Sequence, residues 1–506
     1  MNRLEPILVR IALVSVVVLL GAPVAPAGAS VSVDGAGSTW SQIAVDQWRA
    51  DVARQGLSIN YQGLGSSTGR TFYISAQSDF AVSEIPFQPA SHDRNGNLLY
   101  DEVARAAARP YAYMPIVAGG TSFMYHLEVN GRRISDLKLS GPTLAKIFTG
   151  GITFWDDPAV TADDGRVFPH LAVTPVVRSD GSGTSAQFTA YMAHVTPDIW
   201  NPFCANATHL PSPCPPTSLY PYFGNSRAQQ GSDGVANYVA APYNNGSITY
   251  VEYGYALQRS FPVVSVLNQA GYYVQPTAQA VSIALTAARI NPDRTQVLDG
   301  VYTNPDPRAY PVSSYSYMIV PTGTQAPFST DKGDVLGRFI LYFLCAGQQK
   351  AVQLGYSPLP KNLVQFGFDA ERLIPGAPAP PPIDQCANPT ITGSFITGNA
   401  PLPPASAKKG ATAAARAALA AAAAKAGSGA QGAGAAAATD QTVDSSTDPT
   451  GVAGSATALA AVPATIANGR DQVATGLYVA AGLAVLVVIF GPPALGAYLR
   501  REQHEE

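Results

Sequence analysis

Charge is scarce in this chain: Asp, Glu, Lys and Arg make up 13% of 506 residues, and the formal net charge is -3. No long Lys/Arg block occurs, so the broad electrostatic attraction that nucleic-acid binding needs is missing, and nucleic acid is excluded as a partner. Histidine is equally sparse, with six in all. His92, His126, His170, His194 and His209 show neither triad nor metal spacing, which leaves no evident catalytic base and no metal or cofactor site. A twin-Arg pair is absent near the N-terminus, no Cys follows the small residues there, and no Leu-Pro-x-Thr-Gly sorting signal occurs near the C-terminus. Tat export, N-terminal lipidation and covalent wall attachment therefore have no support.

Only four cysteines are present, namely Cys204, Cys214, Cys345 and Cys386. Their even number fits two disulfides in an exported domain. Proximity pairs Cys204 with Cys214 across a Pro-rich loop and Cys345 with Cys386 between the end of the core and the start of the tail. Zinc is the rival reading, but the spacings match no common zinc motif and His209 lacks a nearby second His.

What is present divides the chain. Arg3 and Arg10 flank the start of the apolar run Ile11 to Leu20, which is followed by the small-x-small pattern Ala27-Gly28-Ala29. This reads as a signal peptide over 1–29, with an uncleaved anchor as the alternative. Residues 30–375 have the mixed composition of two α/β lobes, and two lobes imply a cleft. From Gly376 the chain turns to Ala, Pro and Gly, a composition that cannot bury enough surface to fold alone, so 376–475 reads as a spacer. Residues 476–499 are apolar and uncharged, long enough at about 1.5 Å per residue to cross a hydrocarbon layer of about 30 Å. Arg500 and Arg501 follow, placing the tail 500–506 in the cytoplasm and the folded part outside.

Three loops in the folded part share one design: an apolar strand-like run, then Gly with Ser or Thr, then a helical pattern. They centre on Gly35-Ala-Gly-Ser-Thr-Trp40, Gly63-Leu-Gly-Ser-Ser-Thr-Gly69 and Arg178-Ser-Asp-Gly-Ser-Gly-Thr184. A helix N-terminus leaves several N–H groups unpaired and carries partial positive charge, so it can hold an anion without net basic charge. Ser and Thr hydroxyls add neutral donors, and Arg178 offers a planar charged fork. Any one such loop is most often plain helix capping. Three with one Arg point to a small tetrahedral oxyanion, provided they converge. Elsewhere, Asp93-Arg-Asn-Gly-Asn97 lacks the sixth-position Gly and twelfth-position Glu of a calcium loop and reads as a turn, and the aromatic run Tyr310 to Tyr317 reads as a buried strand.

These loops, together with Asp79-Phe-Ala-Val-Ser-Glu84, Ile147-Phe-Thr-Gly-Gly-Ile-Thr-Phe-Trp-Asp156 and Gly246-Ser-Ile-Thr-Tyr-Val-Glu-Tyr-Gly-Tyr-Ala256, closely resemble segments of the phosphate-binding proteins of bacterial phosphate ABC transporters. The resemblance spans about residues 31–374. It implies a type II periplasmic-binding fold, with lobe I at about 30–115 and 310–375, lobe II at about 116–309, and a two-strand hinge. It implies capture of inorganic phosphate and delivery to an ABC permease. By matching motif, Thr39, Trp40 and Ser66 would bind from one lobe and Arg178, Ser182, Gly183 and Thr184 from the other, with Asp180 holding the guanidinium. Glu84 stands where the family carries Asp, whose carboxylate accepts the proton of hydrogen phosphate and so rejects sulfate; the extra methylene is this chain's departure. Two further readings stay open: a phosphomonoesterase using Ser182 as nucleophile, and a surface sensor or adhesin that keeps the binding fold.

Overall fold

The computed structural model describes residues 31–411 apart from 209 and 212. The strands of the main sheet are β1 (Ser32–Gly37), β2 (Ser58–Gly63), β3 (Phe80–Ser83), β4 (Tyr111–Tyr125), β5 (Thr174–Arg178), β6 (Arg227–Gln229), β7 (Ser247–Glu252) and β8 (Ser313–Pro321). The helices that matter below are α1 (Gln42–Ala53), α2 (Ser66–Ile74), α3 (Gly183–Val195), α4 (Gly231–Ala240), α5 (Ala278–Leu285), α6 (Thr330–Leu344) and α7 (Lys361–Glu371). Strand order is β6-β5-β7-β4-β8-β3-β1-β2. β1 pairs parallel with β2 and β3, and β5 parallel with β7 and β6, so each half of the sheet is a parallel βα unit.

The two halves meet only through β4 and β8. β4 pairs antiparallel with β8 along its first part, then with β7 from Thr121 to Tyr125. β8 pairs with β3 from Tyr317 to Ile319. The register of β8 on β4 shifts between Ser316 and Tyr317, so the irregularity lies where the sheet passes from one lobe to the other. All nine residues of β8 are buried, as expected of the aromatic run, because the strand lies in the middle of the sheet between β4 and β3. Trp40, Trp48, Trp155 and Trp200 are fully buried in the core.

Parallel strands end where helices begin, which sets three loop-to-helix junctions at the carboxyl ends of β1, β2 and β5. The Gly-Ser/Thr loops occupy these junctions. At the third, the Ser182 hydroxyl accepts the Ser185 N–H at 3.2 Å and caps α3, satisfying one of the free donors of the first turn.

Both expected disulfides, Cys204–Cys214 and Cys345–Cys386, are present. The segment expected to be spacer from Gly376 is, however, packed structure as far as Ala411. Asn388 Nδ2 donates to the Leu344 carbonyl at 3.0 Å, and Thr390 Oγ1 to the Leu359 carbonyl at 2.8 Å. Farther on, Thr397 meets Ser282 of α5 at 2.6 Å, Arg308 Nη1 donates to the Gly398 and Ala400 carbonyls at 3.2 and 3.0 Å, and Lys409 N donates to the Gly271 carbonyl at 2.8 Å. The segment starts beside α6 in the first lobe and ends on the second. Its physical basis is docking onto surface already built, which needs no core of its own.

The leader 1–29, the rest of the spacer, the apolar run 476–499 and the tail 500–506 lie outside the described residues. Among the described residues no helix is long and apolar enough to cross a membrane.

Candidate functional site

The first two junctions belong to one lobe and the third to the other, and the structure brings all three together. Gly183 N at the start of α3 donates to Ser66 Oγ at the start of α2, 3.1 Å away. Ser67 N donates to the Gly181 carbonyl at 3.0 Å, and Tyr255 donates its hydroxyl proton to the Thr39 carbonyl. Thr39, Trp40, Ser66, Glu84, Arg178, Ser182 and Thr184 are all buried, at 5% exposure or less. The nine residues singled out in the sequence therefore form one cluster across the cleft.

Arg178 is the only cation in that cluster. Asp180 holds it in a bidentate pair through Nε at 2.7 Å and Nη2. Burial pushes the Asp180 carboxyl up, but Arg178 and the Gly231 amide overcome this and hold its pKa below the usual carboxylate range. The third corner of the guanidinium is bound differently. Nη1 makes only long contacts, 3.5 Å to Thr184 Oγ1 and 3.4 Å to Ser232 Oγ. Bonds to a charged donor ordinarily close to about 2.7–2.9 Å, so Nη1 retains most of its capacity for an anionic oxygen.

Glu84 lies opposite and is fully buried. Oε1 accepts Ser38 Oγ at 2.5 Å and Ser316 Oγ at 2.9 Å, while Oε2 accepts Ser66 Oγ at 2.8 Å. Burial raises the Glu84 pKa above its ordinary value, against the pull of these hydroxyls in the other direction. Oε2 packs against Gly183, where a Cβ would stand 2.0 Å from it. Only glycine allows that approach. A carboxylate has about four lone-pair sites; three are taken, and the open one is on Oε2.

One expected donor is engaged otherwise in this arrangement, and a second keeps its proton while accepting as a cap. Trp40 N donates to Ser38 Oγ at 2.9 Å, and the Ser182 hydroxyl serves as the α3 cap described above. Three neighbours of the site escaped the sequence reading. Ser316 comes from β8, Gln187 Nε2 donates to the Glu84 carbonyl at 2.8 Å, and Ser232 in the first turn of α4 contacts Thr39 and Arg178. Ser316 and Gln187 are single polar residues without a local motif; Ser232 follows Gly231 between β6 and α4, but the short polar β6 does not read as a strand in the sequence. The turn expected at Asp93 is there, with Oδ1 accepting the Asn95 and Asn97 amides, both at 2.8 Å.

A family model described as a PBP superfamily domain matches residues 23–346. The phosphate-binding protein PstS of Xylella fastidiosa strain Temecula1 is 31% identical over 339 residues, covering 66% of this chain and 84% of that protein. PstS of Methanocaldococcus jannaschii is 26% identical over 67% of this chain and 85% of its own. Among solved structures, the ancestral soluble variant of the human phosphate binding protein shares the fold with a TM-score of 0.50 at 17% identity, covering 69% of this chain and 100% of that one. By these matches, laid over a cleft with Arg178 on one side and Glu84 on the other, the chain belongs to the PstS family of phosphate-binding proteins within the PBP superfamily.

Proposed function

We propose that this protein captures inorganic phosphate outside the cytoplasmic membrane and hands it to an ABC-type uptake system. The observation that carries the reading is the convergence of three helix N-termini on Arg178, whose Nη1 is underused, facing a buried carboxylate with one open lone pair. A dianion there would meet Nη1, the Thr184 and Thr39 hydroxyls, and the first-turn amides of α2 and α3. Bonds to a charged group contribute about 1.5–3 kcal/mol each, enough in sum to offset desolvation. Oε2 of Glu84 supplies the one acceptor, which suits the proton of hydrogen phosphate. Sulfate would bring only lone pairs to it, a mismatch costing at least about 1–3 kcal/mol. Glu in place of Asp thus keeps the acceptor, and the glycine at 183 supplies room for the longer side chain.

The relatives named above are phosphate-binding proteins, and catalysis has no support in the site. Ser182 lends its hydroxyl to a helix cap, while His126 pairs with Glu128, His170 with Asp156 and His194 with Asp299. The membrane placement rests on the sequence alone: export by residues 1–29 and tethering by 476–499. Calorimetry on the full chain tests the reading. Heat with phosphate and none with sulfate is expected; no heat with phosphate at millimolar concentration rejects it.

A further inference from the structure

Ser232 is fully buried in the first turn of α4, in the lobe that carries Arg178. Its backbone N donates to Thr39 Oγ1 at 3.0 Å, and its Oγ lies 2.9 Å from the same Thr39 oxygen and 3.4 Å from Arg178 Nη1. The neighbouring Gly231 N donates to Asp180 Oδ1 at 2.9 Å. The start of α4 therefore touches the arginine, the carboxylate that holds it, and the threonine of the opposite lobe.

The bookkeeping of protons shows what this does. A threonine hydroxyl has one proton and two lone pairs. The Ser232 amide occupies one lone pair of Thr39 Oγ1, so the Thr39 proton points away from that amide. Nη1 can only donate to the Ser232 hydroxyl, so the Ser232 proton is free for the second lone pair of Thr39 Oγ1 or for an anion; in the first case the Thr39 proton is left to meet an anion. Since Thr39 belongs to one lobe and Ser232 to the other, these bonds exist only when the cleft is shut.

We propose that Ser232 is a positioning residue for phosphate and a latch between the lobes: it orients the Thr39 hydroxyl, steadies Nη1 of Arg178, and slows release of the bound anion. The inference rests on the phosphate reading above and goes beyond it in assigning a role to α4. Loss of the hydroxyl removes contacts formed after encounter, so the effect falls on dissociation rather than association.

The test uses the full chain and inorganic phosphate, with association and dissociation followed by stopped-flow tryptophan fluorescence and affinity by calorimetry. Ser232→Ala keeps the amide and is expected to raise the dissociation rate about tenfold, as for one or two lost bonds, with the association rate unchanged within about twofold. A residue that only supports α4 would act independently of Thr39. A double-mutant cycle with Thr39→Val therefore decides the matter: the effects of the two changes on dissociation must fall short of additive. Additive effects, or an unchanged dissociation rate in Ser232→Ala, overturn the inference. Should Ser232→Ala lose its phosphate-free melting transition, Ser232→Cys, nearly isosteric and a poor hydrogen-bonding group, carries the same measurement. Arg178→Ala separates the two levels. If it binds phosphate as the parent does, the reading of the site fails; if it does not bind while the cycle is additive, the latch alone fails.

Discussion

Replacing Cys345 and Cys386 together by Ser tests whether the segment after Gly376 is part of the folded domain. The bridge joins residues 41 apart, while Cys204–Cys214 joins residues 10 apart. Cross-linking restricts the unfolded chain by an entropy that grows with the logarithm of loop length, giving roughly 4 kcal/mol for the longer loop and roughly 2.7 kcal/mol for the shorter. Unfolding entropy is about 2.1 cal/mol/K per residue, so for the roughly 380 residues described the two losses lower the melting temperature by about 5 °C and about 3 °C respectively. Native contacts add to the asymmetry. Cys386 is 1% exposed, and Asn388 behind it bonds the Leu344 carbonyl at the end of α6. The assay is thermal and urea unfolding of the two double-serine variants beside the parent, with limited proteolysis mapping cleavage after Gly376. The Cys345/Cys386 variant must be the less stable of the two, and its cleavage sites must lie between Gly376 and Ala411. If it melts within about 1 °C of the parent and the segment is cut equally in both, the reasoning is wrong: the tail would then contribute no stability, and the bridge would close no loop that unfolding opens.

Other consequences can be measured on single substitutions. Glu371 is fully buried with both carboxylate oxygens unpartnered, and burial pushes its pKa from 4.5 up to about 7. A raised folded-state pKa gives stability that is complete below about 4.5 and lost as pH rises through about 7, so Glu371→Gln should flatten the fall in melting temperature that the parent shows from pH 5 to pH 8. Gly183→Ala puts a methyl 2.0 Å from Glu84 Oε2; it should cost about 1–3 kcal/mol by overpacking and abolish calorimetric heat with phosphate. Ser182→Ala removes the α3 cap and should cost about 0.5–2 kcal/mol in urea unfolding without ligand, an effect absent if that hydroxyl served only an anion. Glu84→Gln replaces an acceptor-only group by one that can donate, so heat with sulfate should appear; sulfate heat still missing, with phosphate binding intact, would remove Glu84 from the selectivity argument.

The parts of the site that could be read in the sequence are those fixed by short-range rules. Ser182 caps α3 because its side chain reaches an amide three residues on, and Asp180 meets Arg178 because the two alternate along one turn. Gly-Ser/Thr loops at strand ends repeat the same local geometry three times, which makes α/β junctions recognisable and their convergence a small further step. Ser316 obeys no such rule, and Ser232 obeys it only after a strand, Arg227–Gln229, whose polar residues do not signal one. Ser316 sits in an aromatic run whose composition signals only a buried strand, and its bond to Glu84 exists because β8 crosses from lobe to lobe beside the end of β3. Ser232 enters because α4 happens to start where β6 ends, next to Arg178 on the neighbouring strand. The tail departs from its expected spacer character for a different reason. Low hydrophobicity argues against a segment that must fold by itself, whereas residues 377–411 dock on helices and carbonyls already in place. The pairing of Cys345 with Cys386 already carried the contrary signal, since it ties residue 386 to the end of α6, a helix buried along one face. A boundary at 375 puts the two ends of that bridge in different segments, so the first physically consistent boundary lies beyond Cys386, and the bonds from Thr397 to Lys409 carry it to about 411.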